Sequence, residues 1–251
     1  MGETALITGA AGGFGKAIAE RFITEGREVV LLDVEKEKLS QVARELADIG
    51  DVFEYHCDIS DPDAVREIIK DVERAGGGLD VLVNNAGITR TSGVADTRIE
   101  EWKQVIDVNL TGTFICIREC LPGMINRGYG RIVNLSSIAA YQGGGYSGSP
   151  HYAASKAGVI GMTHSIAASV AGDGVTCNAV APGICRTPIT EQFLSDKDSE
   201  RAVRKNIPVG RIGEPNDIAR GVNFLAAKDS GYITGHTLVI DGGVSNRPPD
   251  A

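Results

Sequence analysis

The sequence predicts an α/β protein made of a single doubly wound domain, in which a seven-stranded parallel sheet is flanked by helices on both faces. Three observations predict this class. Short apolar runs alternate regularly with amphipathic helical segments, no linker or repeat interrupts them, and 251 residues suit one α/β domain better than two. Residues 1–251 are therefore treated as one domain.

The strands are predicted from short apolar runs that end in turn residues. Several of these runs are continuously apolar, as is typical of strands that are covered on both faces. The seven predicted strands are residues 4–8, 28–33, 52–57, 80–84, 131–136, 175–180 and 236–240.

Helical segments, with apolar residues three or four positions apart, separate these strands. Gly26 and Gly50 are expected to end the first two helices, and Pro62 lies in the first turn of the third. The predicted helices are residues 15–25 and 36–49, a segment beginning near 60, residues 99–125, a segment beginning near 151, and residues 215–227. Residues 143–150 are predicted to be a flexible stretch, residues 183–206 lack clear strand character and are rich in charge, and the tail 245–251 carries two prolines.

Composition narrows the classes of partner. The formal net charge of -8 argues against nucleic acid and anionic membranes. No signal peptide is visible, and no apolar run approaches the ~20 residues that a membrane helix needs. The five cysteines form no CxxC pair and no zinc spacing, so we expect buried free thiols, no metal site and a cytoplasmic location.

A glycine-rich turn follows the first strand. Four of the seven residues from Gly9 to Gly15 are glycines, which lets backbone N–H groups approach a pyrophosphate at the start of the next helix. An ordinary tight turn would not need so many. Asp33 ends the second strand, where a carboxylate accepts both ribose hydroxyls and repels a 2′-phosphate. This favours NAD over NADP, although Asp33 could also cap the next helix.

Tyr152 and Lys156 lie four residues apart, on one face of a predicted helix. An ammonium group near a phenol favours the phenolate, so we expect Lys156 to bring the pKa of Tyr152 down toward the working range. The pair is a candidate acid/base centre, although this spacing alone is more often found on a solvated helix face.

Ordered motifs extend these observations along nearly the whole chain, which resembles the short-chain dehydrogenase/reductase family with its Rossmann-type fold. The matching positions are Thr8, Gly9, Gly13 and Gly15; Asp58; Asn84 to Gly87; Asn109; Ser137, Tyr152 and Lys156; Pro182, Gly183 and Thr187; Arg211 to Pro215; and Thr234 to Gly243.

The resemblance implies roles for these residues. It implies that the catalytic residues are Asn109, Ser137, Tyr152 and Lys156. It implies that the cofactor contacts are Gly9, Gly13, Phe14, Gly15, Asp33, Asp58, Asn85, Ala86, Gly87, Tyr152, Lys156, Pro182, Gly183, Ile184 and Thr187. In this scheme Tyr152 takes the alcohol proton, Ser137 orients the substrate oxygen, Lys156 holds the ribose, and Asn109 seats a water through a carbonyl freed by a helix distortion.

Two departures from the family pattern bear on these roles. Ser137 lies 15 residues before Tyr152, more than the usual spacing, and the glycines at 143–145 absorb the excess. Ser136 is the competing serine, since only one of two adjacent strand-end side chains can face the substrate; the family alignment favours Ser137. NADP-preferring relatives often carry a basic residue in the glycine turn or just after the second strand, where this chain has Phe14 and Asp33-Val34.

Substrate contacts are the least constrained part of the sequence. Ser137, His151 and Gln142 are the candidates, with pocket walls from residues 139–151 and 184–194. His151 could instead face solvent at the helix start. Arg90 and Arg186 could pair with a substrate carboxylate or contact neighbouring loops. Residues 186–207 have the length and charge of a mobile lid, in which Ile189, Phe193 and Leu194 would cap the substrate or cover the sheet edge.

Three functions remain open. The leading hypothesis is an NAD-dependent dehydrogenase of a secondary alcohol or its ketone. The alternative is a 3-oxoacyl thioester reductase of lipid synthesis, a role that generally uses NADPH. A non-catalytic NAD-sensing scaffold is disfavoured because all four catalytic residues are present. A homotetramer is expected from the family resemblance and from helices that are apolar around much of their circumference.

Overall fold

The computed structural model describes residues 2–76, 78–143, 149–191, 194 and 196–246. It confirms the predicted α/β class, with one seven-stranded sheet in the order β3-β2-β1-β4-β5-β6-β7 and every neighbouring pair parallel. The strands are β1 (Thr4–Thr8), β2 (Glu28–Asp33), β3 (Val52–His56), β4 (Val81–Asn84), β5 (Gly130–Leu135), β6 (Val175–Pro182) and β7 (Thr237–Ile240).

The helices connect these strands across both faces of the sheet. They are α1 (Gly13–Thr24), α2 (Lys36–Ala47), α3 (Pro62–Gly76), α4 (Ile99–Ile106), α5 (Thr113–Arg127), α6 (Ala139–Gln142), α7 (Pro150–Val170), α8 (Lys197–Lys205) and α9 (Pro215–Ala226). Short 3-10 turns cover Ala171–Asp173, Lys228–Ser230 and Val244–Asn246.

Two apolar cores pack against the sheet. On one face, Phe22 of α1, Leu39 of α2 and Val222 of α9 belong to one cluster. On the other, Ile69 of α3, Cys116 of α5 and Ala167 of α7 belong to the second. All five cysteines are buried and unpaired, as the sequence predicted.

The direction of chain progression reverses between β1 and β4, which are neighbours in the sheet. In open parallel sheets, ligands bind beyond the carboxyl ends of the strands at this switch point. The glycine turn after β1 and the segment from Asn85 to Gly87 after β4 therefore lie side by side where a cofactor site is expected.

The predicted helix over 99–125 is interrupted. α4 and α5 are joined by a wider π-helical turn at Asp107–Gly112. This local distortion surrounds Asn109, whose backbone carbonyl accepts a hydrogen bond from the Thr113 hydroxyl at 2.9 Å.

Helix α8 lies within residues 183–206, for which the sequence predicted no helix. Its sequence is almost wholly polar, and only Val203 is buried, so it lacks the apolar stripe on which helix prediction depends. The start signal was present: Asp196 caps the helix by accepting from the backbone N–H groups of Asp198 and Ser199. Within the described residues, no helix is long and apolar enough to cross a bilayer.

Candidate active site

A cavity of about 620 Å³ opens along the carboxyl ends of β2, β1, β4 and β5. Asp33 and Asp58 line it at the β2–β3 side, and Tyr152 and Lys156 line it beside β5. The other lining residues include Gly9, Gly12, Gly13, Phe14, Asn85, Ala86, Gly87, Gln104, Val108 and Thr187. The cavity thus connects the predicted adenosine end to the predicted reaction centre.

Backbone proximity explains the glycine at position 9. Its φ is 65°, in the left-handed region, and a Cβ there would lie 2.7 Å from the Cα of Ala86. A Cβ on Gly12, by contrast, would meet nothing within 4 Å, although Gly12 lines the cavity. The turn therefore approaches β4 at Gly9 and faces open space at Gly12, which fits a pyrophosphate lying against the start of α1.

Asn85 fixes the turn to the end of β4. Its side-chain amide donates to the backbone carbonyls of Thr8 at 3.0 Å and Gly9 at 2.8 Å. The Thr8 hydroxyl in turn accepts from the backbone N–H groups of Asn85 and Ala86, each at 3.0 Å. The Asn85 amide is thus used within the protein to shape the cavity floor.

Asp33 joins the second strand to the glycine turn. One carboxylate oxygen accepts from the Ala11 N–H at 2.9 Å, and the other accepts from the Glu35 N–H at 2.9 Å. Each carboxylate oxygen has a second lone pair, so the group retains acceptors for the two ribose hydroxyls. Glu35 occupies the N-cap of α2, so Asp33 holds the turn before the helix and is not itself the cap.

Lys38 also lines the adenosine end of the cavity. It lies on α2, three residues after Glu35. Its ammonium lies 2.6 Å from a carboxylate oxygen of Glu35, and this hydrogen bond raises the pKa of Lys38. Asp58, at the same end, accepts from the backbone N–H and the hydroxyl of Ser60 at 2.9 and 2.7 Å.

The two serines at the end of β5 point in different directions. The buried Ser136 hydroxyl donates to the backbone carbonyl of Lys156 at 2.8 Å. The Ser137 side chain interacts with the Tyr152 phenol and acts to lower its pKa. Of the two serines left open by the sequence, Ser137 is therefore the one that meets Tyr152.

Electrostatics at Tyr152 differ from the expectation. Burial raises the pKa of Tyr152, and the interaction with Ser137 opposes this only in part. Lys156 is 5 % exposed, and burial lowers its pKa to about 8. Its ammonium donates to the Leu135 carbonyl at 2.7 Å and lies 5.8 Å from the centre of the Tyr152 ring. Desolvation thus outweighs the predicted charge effect in the protein alone.

Asn109 is fully buried beneath this pair. Its side chain accepts from the Ile88 N–H at 2.8 Å and donates to the Ile88 carbonyl at 2.9 Å and to Ser155 at 3.1 Å. A Cβ on Gly87 would lie 3.3 Å from both the Asn109 amide oxygen and the Lys156 ammonium. Asn109 thus connects the cavity wall after β4 to helix α7.

Comparison with known proteins agrees with this geometry. A family model described as enoyl-(acyl carrier protein) reductase matches residues 9–245. A 3-oxoacyl-(acyl-carrier-protein) reductase from Thermotoga maritima is 43% identical over 244 residues, covering 97% of this chain and 98% of that protein. The chain belongs to the short-chain dehydrogenase/reductase family.

Other members show the same likeness. A 3-oxoacyl-(acyl-carrier-protein) reductase from Rickettsia bellii is 42% identical and covers 97% of each chain. Among solved structures, a short-chain dehydrogenase/reductase from Mycobacterium marinum is 32% identical, with a TM-score of 0.92 over 98% of this chain and 96% of that one. A protein from Agrobacterium tumefaciens, provisionally described as a gluconate dehydrogenase, is 29% identical, with a TM-score of 0.94 over 98% and 97%.

Membership of the short-chain dehydrogenase/reductase family makes the chain an oxidoreductase that acts on CH–OH or keto groups with a nicotinamide cofactor. The predicted cofactor contacts at and after the end of β6 are placed differently from one another. Thr187 lines the cavity and lies near Gly13, whereas Gly15, Pro182, Gly183 and Ile184 lie outside the cavity lining. Gly183 is packed so closely that a Cβ would lie 2.7 Å from the Cα of Asp241.

The substrate candidates are placed differently from one another. Gln142 is exposed at the end of α6 and does not line the cavity. His151 is fully buried, so its interpretation as a solvent-facing helix-start residue was wrong. Arg90 donates to the Thr89 carbonyl and to Gln104, and Arg186 pairs with Glu200 at 2.5 Å and Glu214 at 3.3 Å. Both arginines therefore contact neighbouring protein segments.

The segment predicted as a lid contributes to the cavity through Thr187, Pro188 and Ile189. Leu194 instead packs on a small cluster formed by Val203, Ile207 and Ile212. Phe193 and residues 144–148 of the predicted pocket wall lie outside the described residues. Sequence reasoning missed Gln104 and Val108 as wall residues, because no motif marks them. No cluster of three metal-ligating side chains occurs in the part of the chain that is described.

Proposed function

We propose that this oxidoreductase uses NAD(H) to interconvert the 3-oxo and 3-hydroxy forms of an acyl thioester, with Tyr152 as the acid/base. The cavity, which Tyr152 and Lys156 line at one end and Asp33 lines at the other, is the observation that supports this most directly. Ser137 interacts with the Tyr152 phenol and acts to lower its pKa. The similarity to 3-oxoacyl-(acyl-carrier-protein) reductases favours the thioester over a simple secondary alcohol, which reverses the order of preference from sequence alone.

Each residue then has a defined task. The nicotinamide cofactor supplies the hydride when it is bound. Tyr152 donates its phenolic proton to the nascent alkoxide during reduction, and Ser137 orients the substrate oxygen beside it. Lys156 holds the ribose hydroxyls from its buried place under the cavity, and Asn109 supports the wall around Ile88.

The choice of NAD(H) rests on Asp33. Its carboxylate faces the place where a 2′-phosphate would lie, and repulsion between the two would oppose NADP(H). Lys38, the nearest cation on the cavity wall, is paired with Glu35. We therefore expect that it does little to offset that repulsion.

A second candidate is an NAD-dependent dehydrogenase of a free secondary alcohol or hydroxy acid. Asp33 favours this cofactor, and the Agrobacterium tumefaciens structure described as a gluconate dehydrogenase supports the substrate class. The two candidates share Tyr152, Ser137 and Lys156 and differ only in the substrate.

The test is a matched pair of assays on the purified protein. One follows reduction of an acetoacetyl thioester with NADH or NADPH, and the other follows NAD⁺ reduction across secondary alcohols, hydroxy acids and sugars. We expect thioester turnover and a preference for NADH of at least about a hundredfold in kcat/KM. Turnover only in the alcohol panel would support the second candidate, and equal use of both cofactors would refute the role of Asp33.

Two variants separate the charge of Asp33 from its structural bond. Asp33→Asn removes the charge but keeps an oxygen that can accept from the Ala11 N–H, whereas Asp33→Ala removes both. We expect both variants to reduce the ratio of kcat/KM for NADH to that for NADPH, mainly by lowering kcat/KM for NADH. Only Asp33→Ala should also lower the stability of the protein. An unchanged preference in both would contradict the proposal.

The assembly and location follow the family resemblance. We propose a homotetramer with D2 symmetry, supported by exposed apolar side chains on α5, and a cytoplasmic location, where five buried and unpaired thiols would remain reduced.

A further inference from the structure

His151 lies at the start of α7, directly before Tyr152, and is completely buried. Burying an imidazole is costly unless its polar atoms find partners. Both ring nitrogens do so within the protein. The two partners indicate how His151 acts on Tyr152.

The first partner is the backbone N–H of Tyr152, which donates to Nδ1 of His151 at 2.8 Å. Ser149 is the N-cap of α7, so Tyr152 is the third residue of the helix and its N–H has no intrahelical acceptor. A serine cap commonly accepts this bond, but Ser149 makes no side-chain capping bond here. The imidazole of His151 therefore caps the helix at Tyr152.

The bond from the Tyr152 N–H also decides which ring nitrogen carries the proton. Because a backbone N–H can only donate, Nδ1 must be the unprotonated nitrogen, and the proton of the neutral ring lies on Nε2. Nε2 lies 3.3 Å from the hydroxyl of Ser92, which is also 3.2 Å from the hydroxyl of Thr97. Ser92 in turn donates to Glu101 at 3.5 Å.

These bonds join three pieces of the site. Ser92 and Thr97 belong to the segment between β4 and α4, of which Ile88 lines the cavity, and Glu101 lies on α4. The arrangement is not a nucleophilic triad, because Glu101 meets the serine and Nδ1 is occupied by the Tyr152 N–H. Its effect is to hold the loop after β4 against the first turn of α7.

We propose that neutral His151 is a positioning residue, which fixes the backbone of Tyr152 and the Ser92 loop relative to each other. The proposal rests on the proposed function only in taking Tyr152 as the acid/base. Protonation of Nδ1 would set its N–H against the N–H of Tyr152 and break the cap. The hydrogen bonds that join Tyr152, His151 and Ser92 are thus intact at neutral pH and are lost on acidification. We call these bonds the network.

The charged neighbours agree with a neutral ring. Burial lowers the pKa of His151; Glu101 on α4 raises it and Arg90 of the loop lowers it, and the net direction is downward. The ring therefore becomes protonated, and its hydrogen bond from Tyr152 is lost, at a pH below the ordinary histidine pKa of about 6.5.

The experiment compares two substitutions with a matched control in the full chain. In His151→Asn the amide oxygen can take the place of Nδ1 but does not titrate; in His151→Leu both bonds are lost. His164→Leu removes an exposed histidine from the same helix. We expect kcat for NADH-linked reduction of an acetoacetyl thioester to fall by about tenfold or more in His151→Leu, since small misplacements of a reacting group are costly.

The other expected results separate positioning from mere stability. KM for NADH should stay within about twofold in His151→Leu, since its binding residues are untouched, and His164→Leu should match the wild type. His151→Asn should recover most of kcat and lose the acid limb of the wild-type pH profile. Wild-type kcat in folded His151→Leu, or an unchanged acid limb in His151→Asn, would overturn the proposal; if His151→Leu does not fold, His151→Asn alone decides.

A measurement without turnover keeps the inference separate from the proposed function. Wild-type protein should lose thermal stability between pH 7 and pH 5 more steeply than His151→Asn, because only the wild type protonates a buried ring. Equal slopes would overturn the network even if catalysis proceeds as proposed. If the wild type loses thermal stability more steeply than His151→Asn but Tyr152→Phe is fully active, the positioning role of His151 stands and the role of Tyr152 as acid/base is refuted.

Discussion

Two effects compete at Tyr152, and the structure shows which is larger. The sequence places an ammonium one helical turn away, which favours the phenolate. In the folded protein Lys156 donates to the Leu135 carbonyl, and burial raises the pKa of the phenol. The residue is therefore protonated at neutral pH, as an acid for carbonyl reduction must be, and the positive charge of an oxidised nicotinamide would be needed to favour the reverse reaction.

The first residue-scale prediction concerns Tyr152→Phe. We expect kcat to fall more than about a hundredfold, the usual minimum for an acid/base group, while NADH affinity stays nearly unchanged. The physical reason is that the phenol transfers the proton, whereas the glycine turn, Asp33 and Lys156 would hold the cofactor. Steady-state kinetics and NADH fluorescence titration check the two halves; a variant that keeps more than a hundredth of kcat would show that another group is the base.

Lys156 gives a second residue-scale prediction with a pH sign. Its pKa is about 8 when folded, against an ordinary 10.5, so the folded state resists protonation and the buried charge costs stability at neutral pH. Lys156→Met should therefore be more stable than the wild type by about 1–3 kcal/mol at pH 7, after allowing for the lost bond to Leu135. Turnover should be lost.

The same linkage fixes how that difference changes with pH. The cost is full below pH 8 and disappears as the pH rises toward 10.5, where the unfolded chain is also neutral. Urea unfolding at pH 7 and pH 9.5 should therefore show a smaller gain at the higher pH. A less stable variant at pH 7 would contradict this reading of the buried ammonium.

At the scale of elements, the turn between β1 and α1 offers a matched pair of substitutions. Gly9→Ala places a Cβ against Ala86 at a positive φ and should destabilise the protein by about 1–3 kcal/mol. Gly12→Ala meets nothing within 4 Å and should leave stability within about 0.5 kcal/mol while weakening NADH binding, because the methyl group enters the cavity. Thermal unfolding and NADH titration of both variants test this, and similar unfolding midpoints would contradict the packing argument.

Elements with a strong local signal were predictable from the sequence. The seven apolar runs gave all seven strands, and Asp61 and Pro62 marked the start of α3, where Asp61 accepts from the N–H groups of Asp63 and Ala64. Helix α8 was missed because it buries a single residue. The contact between His151 and Ser92 could not be predicted, because Ser92 is 59 residues away in the chain.

At the scale of the whole molecule, the outer side of α5 is unusually apolar for a surface. Phe114 is 46% exposed and Ile125 is 38% exposed, and with Leu121, Pro122 and Ile166 they border a groove of about 510 Å³. A helix apolar on more than its sheet side needs a second partner for burial. This surface supports an interface between copies of the chain.

Light scattering tests the assembly. We expect a mass near four times the 26.4 kDa of one chain at micromolar concentration. Phe114→Glu should reduce this mass by placing a charge in the interface, whereas Ile49→Glu, at an exposed apolar site after α2, should not. A monomeric wild type would refute the tetramer.

The bond between Asp33 and the Ala11 N–H has a consequence for redesign of this enzyme. The carboxylate that we propose binds the ribose also accepts a hydrogen bond from the loop that would hold the pyrophosphate. A basic side chain at position 33, introduced to bind a 2′-phosphate, could not accept the hydrogen bond from the Ala11 N–H. The loop would then be held less firmly, and binding of the pyrophosphate of the same cofactor would weaken. A change of cofactor preference from NAD(H) to NADP(H) therefore requires two substitutions. One supplies the positive charge, and the other provides a new acceptor for the Ala11 N–H.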